Sequence, residues 1–167
     1  VWQSNDYPAC QACGTDWPAE DLASDLDFEL NLSYSSAYWQ KNEHETSVHY
    51  IEKAKKSASA HKLNRVYQNI SIHHLTLGDL NQSERFCLLA LRIADKLYEQ
   101  AVILNNYAVI LLEQGKIDSA LTICQENMKR TSGADMYHVR SNLYFILSRI
   151  YEAKGMYKEA LDARRRE

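Results

Sequence analysis

Glycine and proline are scarce in this chain: five glycines and two prolines stand among its 167 residues. So few turn-forming residues disfavour an all-β sandwich or barrel, which needs a tight turn after each short strand. They also leave little room for a glycine-rich phosphate loop or a nucleophile elbow, and no Ser-His-Asp arrangement is readable. Charged residues instead intermix with Leu, Ala, Ile and Tyr, a composition that favours helices. The sequence therefore predicts an all-α protein that is not an enzyme.

Long apolar runs are missing as well. No run approaches the ~20 residues that span a bilayer, and the first 30 residues lack the basic start and apolar middle of a secretion signal. We therefore expect no membrane partner. The chain starts at Val1 without a methionine and stops at Glu167 inside a helical pattern, from which we expect a piece of a longer polypeptide.

Basic residues are absent from residues 1–40, which hold seven acids. Because the net charge of the whole chain is −3, the remaining residues carry +4. This asymmetry is too mild to indicate nucleic acid as a partner. The run Arg164-Arg165-Arg166 is predicted to form a solvated last helical turn, which the helix dipole favours, rather than a nucleic-acid patch.

The four cysteines are too few for a disulfide scaffold. Cys10 and Cys13 form a single Cys-x-x-Cys, whereas a structural zinc site usually has two such pairs and a redox motif follows a strand and opens a helix. Neither context is present, so a flexible leader or a local disulfide is expected, with an oxidoreductase as a third hypothesis. Cys87 and Cys124 are predicted to serve as small core hydrophobes. The compartment stays open.

A fourfold repeat stands out instead when Asn42, Gly78, Gly115 and Gly155 are superposed as anchors. A large residue followed by a small one precedes each anchor, and another small residue comes five positions after it. Small residues at fixed places in two successive helices allow close backbone approach, so each unit is predicted to be a helical hairpin packed on the next. The pairs are Tyr34-Ser35, Ile70-Ser71, Tyr107-Ala108 and Leu147-Ser148, and the later small residues are Ser47, Ser83, Ala120 and Ala160.

Eight helices follow from this pattern, since Gly or Asn can take the left-handed conformation that closes a helix end. Residues 1–24 are predicted to be an irregular leader with a short capping helix near Asp16 and Pro18. The anchor spacings are 36, 37 and 40; the last is longer because Thr131 to Asp135 supply a wider turn, with Asp135 as N-cap. The helices are predicted at about 25–41, 44–58, 61–77, 80–96, 99–114, 117–131, 135–154 and 157–167.

The histidines do not form a metal site in this arrangement. His44 and His49 are five residues apart, about 140° around a helix, and so cannot converge on one ion. His74 occupies a column filled elsewhere by Tyr or Leu, which predicts a packing histidine, with a pH-sensitive contact as the alternative. We predict no metal and no cofactor.

The repeat resembles the tetratricopeptide repeat family. The best segments run from Asn106 through Leu121 and from Tyr144 through Leu161, and the match is weakest around Tyr34 to Ala54. The sequence departs from the family in its longer period, its missing closing proline and its serines in small columns, and the spacing resembles long-period repeats of regulatory proteins. The resemblance implies an α-α superhelix, a solenoid of about four hairpins, in a repeat domain at 25–167 with repeats at about 28–60, 64–98, 101–134 and 141–167.

The family's geometry implies that the first helix of each hairpin lines a concave groove. Two asparagines, Asn105 and Asn142, are expected to pair with a peptide backbone through their carboxamides. Trp39 and Phe145 are expected to supply large aromatic anchors. The predicted partner-binding residues are Trp39, Gln68, Ile72, Asn105, Val109, Asn142, Phe145 and Arg149.

One subset of the family grips the C-terminal carboxylate of chaperone tails with Lys, Arg and Asn. Only Asn106 fits that pattern, and without the cations there is no charge-assisted grip on a carboxylate, so this partner is not expected. The residues at the corresponding positions are Gln68, Ile72, Asn106, Asn142 and Ile146.

The leading hypothesis is a non-enzymatic scaffold that binds a protein or peptide segment in the groove. The alternative is a sensory or regulatory segment of a signalling protein, such as a transcription regulator or kinase, whose output domain lies beyond Glu167. Self-association through the C-terminal helix, by way of Tyr157 and Leu161, also stays open.

Overall fold

The computed structural model describes residues 19–59, 62–133 and 136–166, with side chains from Ser24 onward. All regular structure within these ranges is helical, which confirms the all-α prediction. The predicted leader with Cys10 and Cys13, the helix start near Asp16 and the N-cap Asp135 lie outside the described residues. The helices are α1 (Ala19–Gln40), α2 (His44–Ser57), α3 (Leu63–Thr76), α4 (Leu80–Ile93), α5 (Leu97–Glu113), α6 (Ile117–Arg130), α7 (Tyr137–Ala153) and α8 (Tyr157–Arg164).

The first helix of each hairpin ends at its anchor as predicted. The backbone φ is +66° at Asn42, +79° at Gly78, +75° at Gly115 and +71° at Gly155. The residue after each anchor donates its N–H to a carbonyl five positions back, as Lys116 does to Leu111 O at 2.9 Å. This bond closes a Schellman motif, which satisfies a carbonyl that the helix itself cannot pair. The same turn therefore reverses the chain four times.

The small columns hold the two helices of each hairpin together. Ser71 Oγ donates to Ser83 O at 2.8 Å and Ser83 Oγ donates to Ser71 O at 2.8 Å. In the third hairpin Ala108 and Ala120 fill the same positions, and both are fully buried. Serine is accepted in these columns because its hydroxyl reaches a backbone carbonyl, on the facing helix for Ser71 and Ser83 and on its own helix for Ser148, whose Oγ donates to Phe145 O at 2.8 Å.

Contacts divide the chain into two units, the first ending at Lys62 and the second beginning at Leu63. In the first unit α1 packs on α2 around buried Phe28 and Ile51. Lys62 Nζ lies 5.0 Å from the Phe28 ring centroid and 2.6 Å from Asp25 Oδ1. The first repeat helix was expected to start at about residue 25, after a separate capping helix, and this expectation was wrong: α1 is continuous from Ala19.

The second unit is a stack of three hairpins, α3–α4, α5–α6 and α7–α8. Each later hairpin packs on the one before it through α4 with α5, α6 with α7, and α5 with α7. The cysteines predicted to be core hydrophobes are in the core: Cys87 is 1% exposed and Cys124 is fully buried. Burial raises the pKa of both thiols to about 12, so neither is a thiolate near neutral pH.

A carboxylate and a carboxamide tie neighbouring hairpins together. Glu84 on α4 accepts hydrogen bonds from Tyr107 Oη at 3.2 Å and Gln114 Nε2 at 2.8 Å, and Lys116 Nζ lies 3.6 Å from it. The Gln114 hydrogen bond, aided by Tyr107 and Lys116, lowers the pKa of Glu84 below its ordinary value. Burial raises the pKa of Tyr107. Glu84 is therefore a charged link between the second and third hairpins.

Candidate functional site

The helices that begin each hairpin lie side by side in the second unit. Asn64 Nδ2 on α3 donates to Glu99 Oε2 on α5 at 2.7 Å, 35 residues along the chain. Arg149 Nη2 on α7 donates to Glu113 Oε1 on α5 at 2.8 Å, 36 residues along. Because cross-helix contacts join residues about one repeat apart, Ile72, Val109 and Phe145, which are similarly spaced, occupy corresponding levels of α3, α5 and α7.

These three residues form a row of apolar side chains across the helices. Ile72 is 37% exposed and Phe145 is 46% exposed, while Val109 is half-buried against the core that α5, α6, α7 and α8 share. Exposed apolar side chains at matching levels of neighbouring helices make a shallow strip that water solvates poorly. All three residues of the strip, Ile72, Val109 and Phe145, were predicted from the sequence to bind a partner.

A row of carboxamides lies one helical turn before this strip. Gln68 stands four residues before Ile72, and Asn106 and Asn142 stand three residues before Val109 and Phe145, so each pair shares a helix face. Asn142 is exposed and the other two are partly buried. In the part of the chain that the structure describes, none of the three side chains forms a hydrogen bond. Each helix therefore offers one donor and one acceptor beside its apolar residue.

A charged pair lies one turn beyond the strip. Arg149 was predicted to contact a partner, and the structure brings it to Glu113, so it is a member of an ion pair on this surface. Sequence reasoning missed Glu113 because it stands two residues before its anchor, a position outside the columns considered. An acid on one helix and a base 36 residues later is the signal that would have found the pair.

Asn105 is not on this surface, which corrects its prediction. Only 4% of the residue is exposed. Its Nδ2 donates to Val139 O at 3.0 Å, and its Oδ1 accepts from Asn127 Nδ2 at 2.9 Å. Asn127 also donates to Ala101 O at 2.8 Å. The carboxamide expected to pair with a peptide instead joins α5, α6 and α7, and Asn106 takes its place on the surface.

Trp39 lies on α1 in the first unit. Its ring packs on the His44 ring with centroids 4.3 Å apart, and the residue is half-buried. Trp39 therefore packs part of its ring within the first hairpin.

His74 packs as predicted: it stacks on Phe86 at 5.6 Å with an interplanar angle of 6°, and its Nδ1 lies 3.5 Å from Asp79 Oδ2.

The eight residues of the three rows on α3, α5 and α7 are called the groove surface below. Five of them were predicted from the sequence in addition to Arg149, while Asn106 and Glu113 were not. The groove surface consists of Gln68, Ile72, Asn106, Val109, Glu113, Asn142, Phe145 and Arg149.

Residues 28–61 match a family model described as tetratricopeptide repeat. This is the first hairpin, whose resemblance was the weakest by inspection of the sequence. No curated protein matches the chain. No helix within the described ranges is long and apolar enough to cross a membrane.

Proposed function

Because the chain is a tetratricopeptide repeat protein, of a family whose usual role is that of a protein-interaction scaffold, we propose that its groove surface binds an extended peptide segment of a partner protein. The observation that supports this proposal is the ordering of the three rows. Each of α3, α5 and α7 presents an apolar residue with a carboxamide one turn before it, and no single helix offers more than a fragment of this pattern.

The apolar row supplies the binding energy in this proposal. Large aromatic side chains dominate interface energies when they are desolvated, and Phe145 is the one aromatic residue of the groove surface. Ile72 and Val109 extend the strip by two further side chains. A peptide laid across α3, α5 and α7 would cover all three with alternate side chains, because every second side chain of an extended peptide points the same way.

The carboxamide row fixes the peptide backbone. A carboxamide donates and accepts at once, so Gln68, Asn106 and Asn142 can each pair with a peptide N–H and C=O whatever the peptide's side chains are. The rows are separated by one turn, about 5 Å along the helix. That separation lets one peptide touch the apolar strip with its side chains and the carboxamides with its backbone.

The groove surface carries no group suited to catalysis in this account. Its charged members, Arg149 and Glu113, pair with each other at 2.8 Å, and the buried thiols of Cys87 and Cys124 have pKa values of about 12. A thiol is a nucleophile as its thiolate, which such a pKa suppresses. The family is typically non-enzymatic, and we propose the same for this chain.

The test starts with a peptide selected from a displayed random library for its binding to the purified chain. Its affinity is then measured by calorimetry for the wild-type protein and for Phe145→Ala and Asn142→Ala. We expect Phe145→Ala to weaken binding at least about tenfold, the loss of a hot-spot side chain. Asn142→Ala removes an exposed hydrogen-bonding group and is expected to weaken binding about threefold to tenfold.

Leu161→Ala is the matched control, since Leu161 is 51% exposed and lies on α8, outside the groove surface. Its affinity is expected to equal that of the wild type. A peptide whose affinity falls with Leu161→Ala and is unaffected by Phe145→Ala would contradict the proposal. So would repeated failure of the library to yield a peptide that binds the wild-type chain.

A further inference from the structure

A cavity of about 450 Å³ lies outside the groove surface, at the end of hairpin α7–α8 and beside the first two turns of α7. Tyr137, Arg140 and Tyr144 are three and four residues apart and line it from one face of α7. The start of α7 lies beside the end of α8 because the two helices are antiparallel, which brings Arg166 to the same cavity. The lining residues are Tyr137, His138, Arg140, Ser141, Tyr144 and Arg166.

The three arginines at residues 164–166 have different surroundings. Arg164 pairs with Glu152 at 2.6 Å and Arg165 with Asp162 at 3.8 Å. Arg166, whose N–H donates to Ala163 O at 3.1 Å, instead lines the cavity. The sequence predicted one solvated turn for all three. Two of them pair with acids, and the third lines the same cavity as Arg140.

Both cavity arginines are free of acidic partners within the described ranges. Neither the Arg140 nor the Arg166 guanidinium group forms an ion pair or a hydrogen bond there, and no described acidic residue lines the cavity. The lining offers two guanidinium groups, the imidazole of His138 and the hydroxyls of Tyr137 and Tyr144. Guanidinium groups fit oxyanions in bidentate geometry. Two of them at one cavity suit an anion with more than one negative charge.

The neighbouring cavity indicates what such an anion would carry. This second cavity, of about 330 Å³, shares Tyr144 and Arg166 with the first and continues over Met128, Leu147 and Tyr151. Its lining combines these apolar and aromatic side chains with two acids, Glu159 and Asp162. An anionic group is therefore favoured in the first cavity, and an uncharged aromatic or apolar part is favoured along Tyr144 and the second cavity.

We propose that this pair of cavities binds an aryl phosphate, with the phosphate between Arg140 and Arg166 and the ring along Tyr144 and the second cavity. A phosphate monoester has up to two negative charges and three terminal oxygens, which two guanidinium groups and nearby hydroxyls can engage together. A carboxylate, with one charge and two oxygens, uses only part of the site. The proposal does not depend on the groove surface, whose eight residues are absent from the lining of both cavities.

The experiment is a calorimetric titration of the full chain with phenyl phosphate, inorganic phosphate and benzoate at matched ionic strength. We expect phenyl phosphate to bind more tightly than either of the others. Arg140→Gln and Arg166→Gln are each expected to weaken phenyl phosphate binding about tenfold or more, the loss of a charge-assisted hydrogen bond. Arg165→Gln is the matched control, because Arg165 is adjacent in the chain, pairs with Asp162 and does not line either cavity.

Thermal unfolding of each variant shows whether it is folded, and Arg166→Gln, in the exposed last turn, keeps the test decisive if Arg140→Gln is destabilised. The proposal is overturned if phenyl phosphate shows no saturable binding up to about 10 mM, if it binds no more tightly than benzoate or inorganic phosphate, or if Arg165→Gln weakens it as much as Arg166→Gln.

Discussion

Asn105 illustrates how hydrogen-bond partners on neighbouring helices decide whether a polar residue belongs to the surface or the core. Its carboxamide is held by Val139 O and Asn127 Nδ2. Asn127 occupies a column that Ala54 and Ala90 fill in the first two hairpins. An asparagine in an alanine column was the available signal: a buried polar group requires a partner, and Asn105, on the facing helix, is that partner.

The first prediction separates the two asparagines that the sequence treated as equivalent. Asn105→Ala is expected to lower the free energy of unfolding by about 1–3 kcal/mol, because it removes two buried hydrogen bonds and leaves Asn127 Nδ2 with one acceptor fewer. Asn142→Ala changes an exposed residue and is expected to stay within about 0.5 kcal/mol of the wild type. Urea denaturation measures both. Equal losses for the two variants would show that Asn142 is structural as well.

The ends of the first helices depend on one backbone conformation per hairpin. Gly115 has a φ of +75°, and a Cβ added there would meet no atom within 4 Å. The cost of replacing it therefore comes from the backbone conformation alone. Asn42 takes the same conformation in the first hairpin, with a φ of +66°, and shows that asparagine is tolerated at this turn.

This comparison gives the second prediction. Gly115→Ala is expected to destabilise the protein by about 1–2 kcal/mol, the cost of the left-handed conformation for a residue with a Cβ. Gly115→Asn is expected to cost less, since asparagine enters this region more readily. Gly133→Ala is a control for loss of a glycine as such, because Gly133 has no positive φ. A Gly115→Asn variant less stable than Gly115→Ala would contradict the account.

Glu84 makes the contact between the second and third hairpins depend on pH. Its hydrogen bonds from Gln114 and Tyr107 lower its pKa in the folded state. A carboxylate whose folded pKa is depressed contributes stability above its unfolded pKa, and this contribution is lost as the pH falls through the folded pKa. The unfolded value is about 4.5, so the stabilisation is present at neutral pH and declines below that value.

The third prediction concerns Glu84→Gln. We expect the variant to be less stable than the wild type at pH 7 and the difference between them to shrink as the pH is lowered below about 4.5. Chemical denaturation at a series of pH values measures it. Glu126→Gln, at an exposed position of α6, is the control and is expected to show no such trend. A difference between Glu84→Gln and the wild type that is constant with pH would show that the charge of Glu84 is not what stabilises the contact.

The helices themselves were largely predictable from the sequence. Anchors, small columns and apolar spacing gave eight helices, and the observed ends lie within a few residues of the predicted ones. The start of α1 was not found, because the 3.6-residue apolar pattern becomes continuous only from about Asp25 and the preceding residues were assigned to a separate capping helix. No glycine or proline interrupts residues 19–25, so the backbone hydrogen bonds continue through them.

The groove surface was only partly predictable. Column counting along one helix identifies which residues share a face, and it found the apolar row of Ile72, Val109 and Phe145. Column counting does not show how far one helix is shifted along its neighbour. It therefore could not predict that Arg149 pairs with Glu113 or that Asn105 donates to Val139 O. Pairings of this kind depend on how far one hairpin is shifted along the next, which the packing of whole helices decides.

The described residues form hairpins of one repeated design, three of which stack in the second unit. The repeat domain predicted at 25–167 and the regulatory role with an output domain beyond Glu167 stay predictions. The full-length coding sequence tests the second of these, since a DNA-binding or kinase module after the repeats would support it. The central claim is independent of that outcome, because it concerns α3, α5 and α7 alone.

That claim is tested most directly by intermolecular nuclear Overhauser effects between a library-selected peptide and methyl-labelled protein. The account predicts cross-peaks from the peptide to the methyl groups of Ile72 and Val109 and to the Phe145 ring. It predicts none to Ile93 or Leu161, which are 39% and 51% exposed on α4 and α8. Cross-peaks to Ile93 and Leu161 without any to Ile72, Val109 or Phe145 would show that the peptide binds elsewhere and would contradict the account.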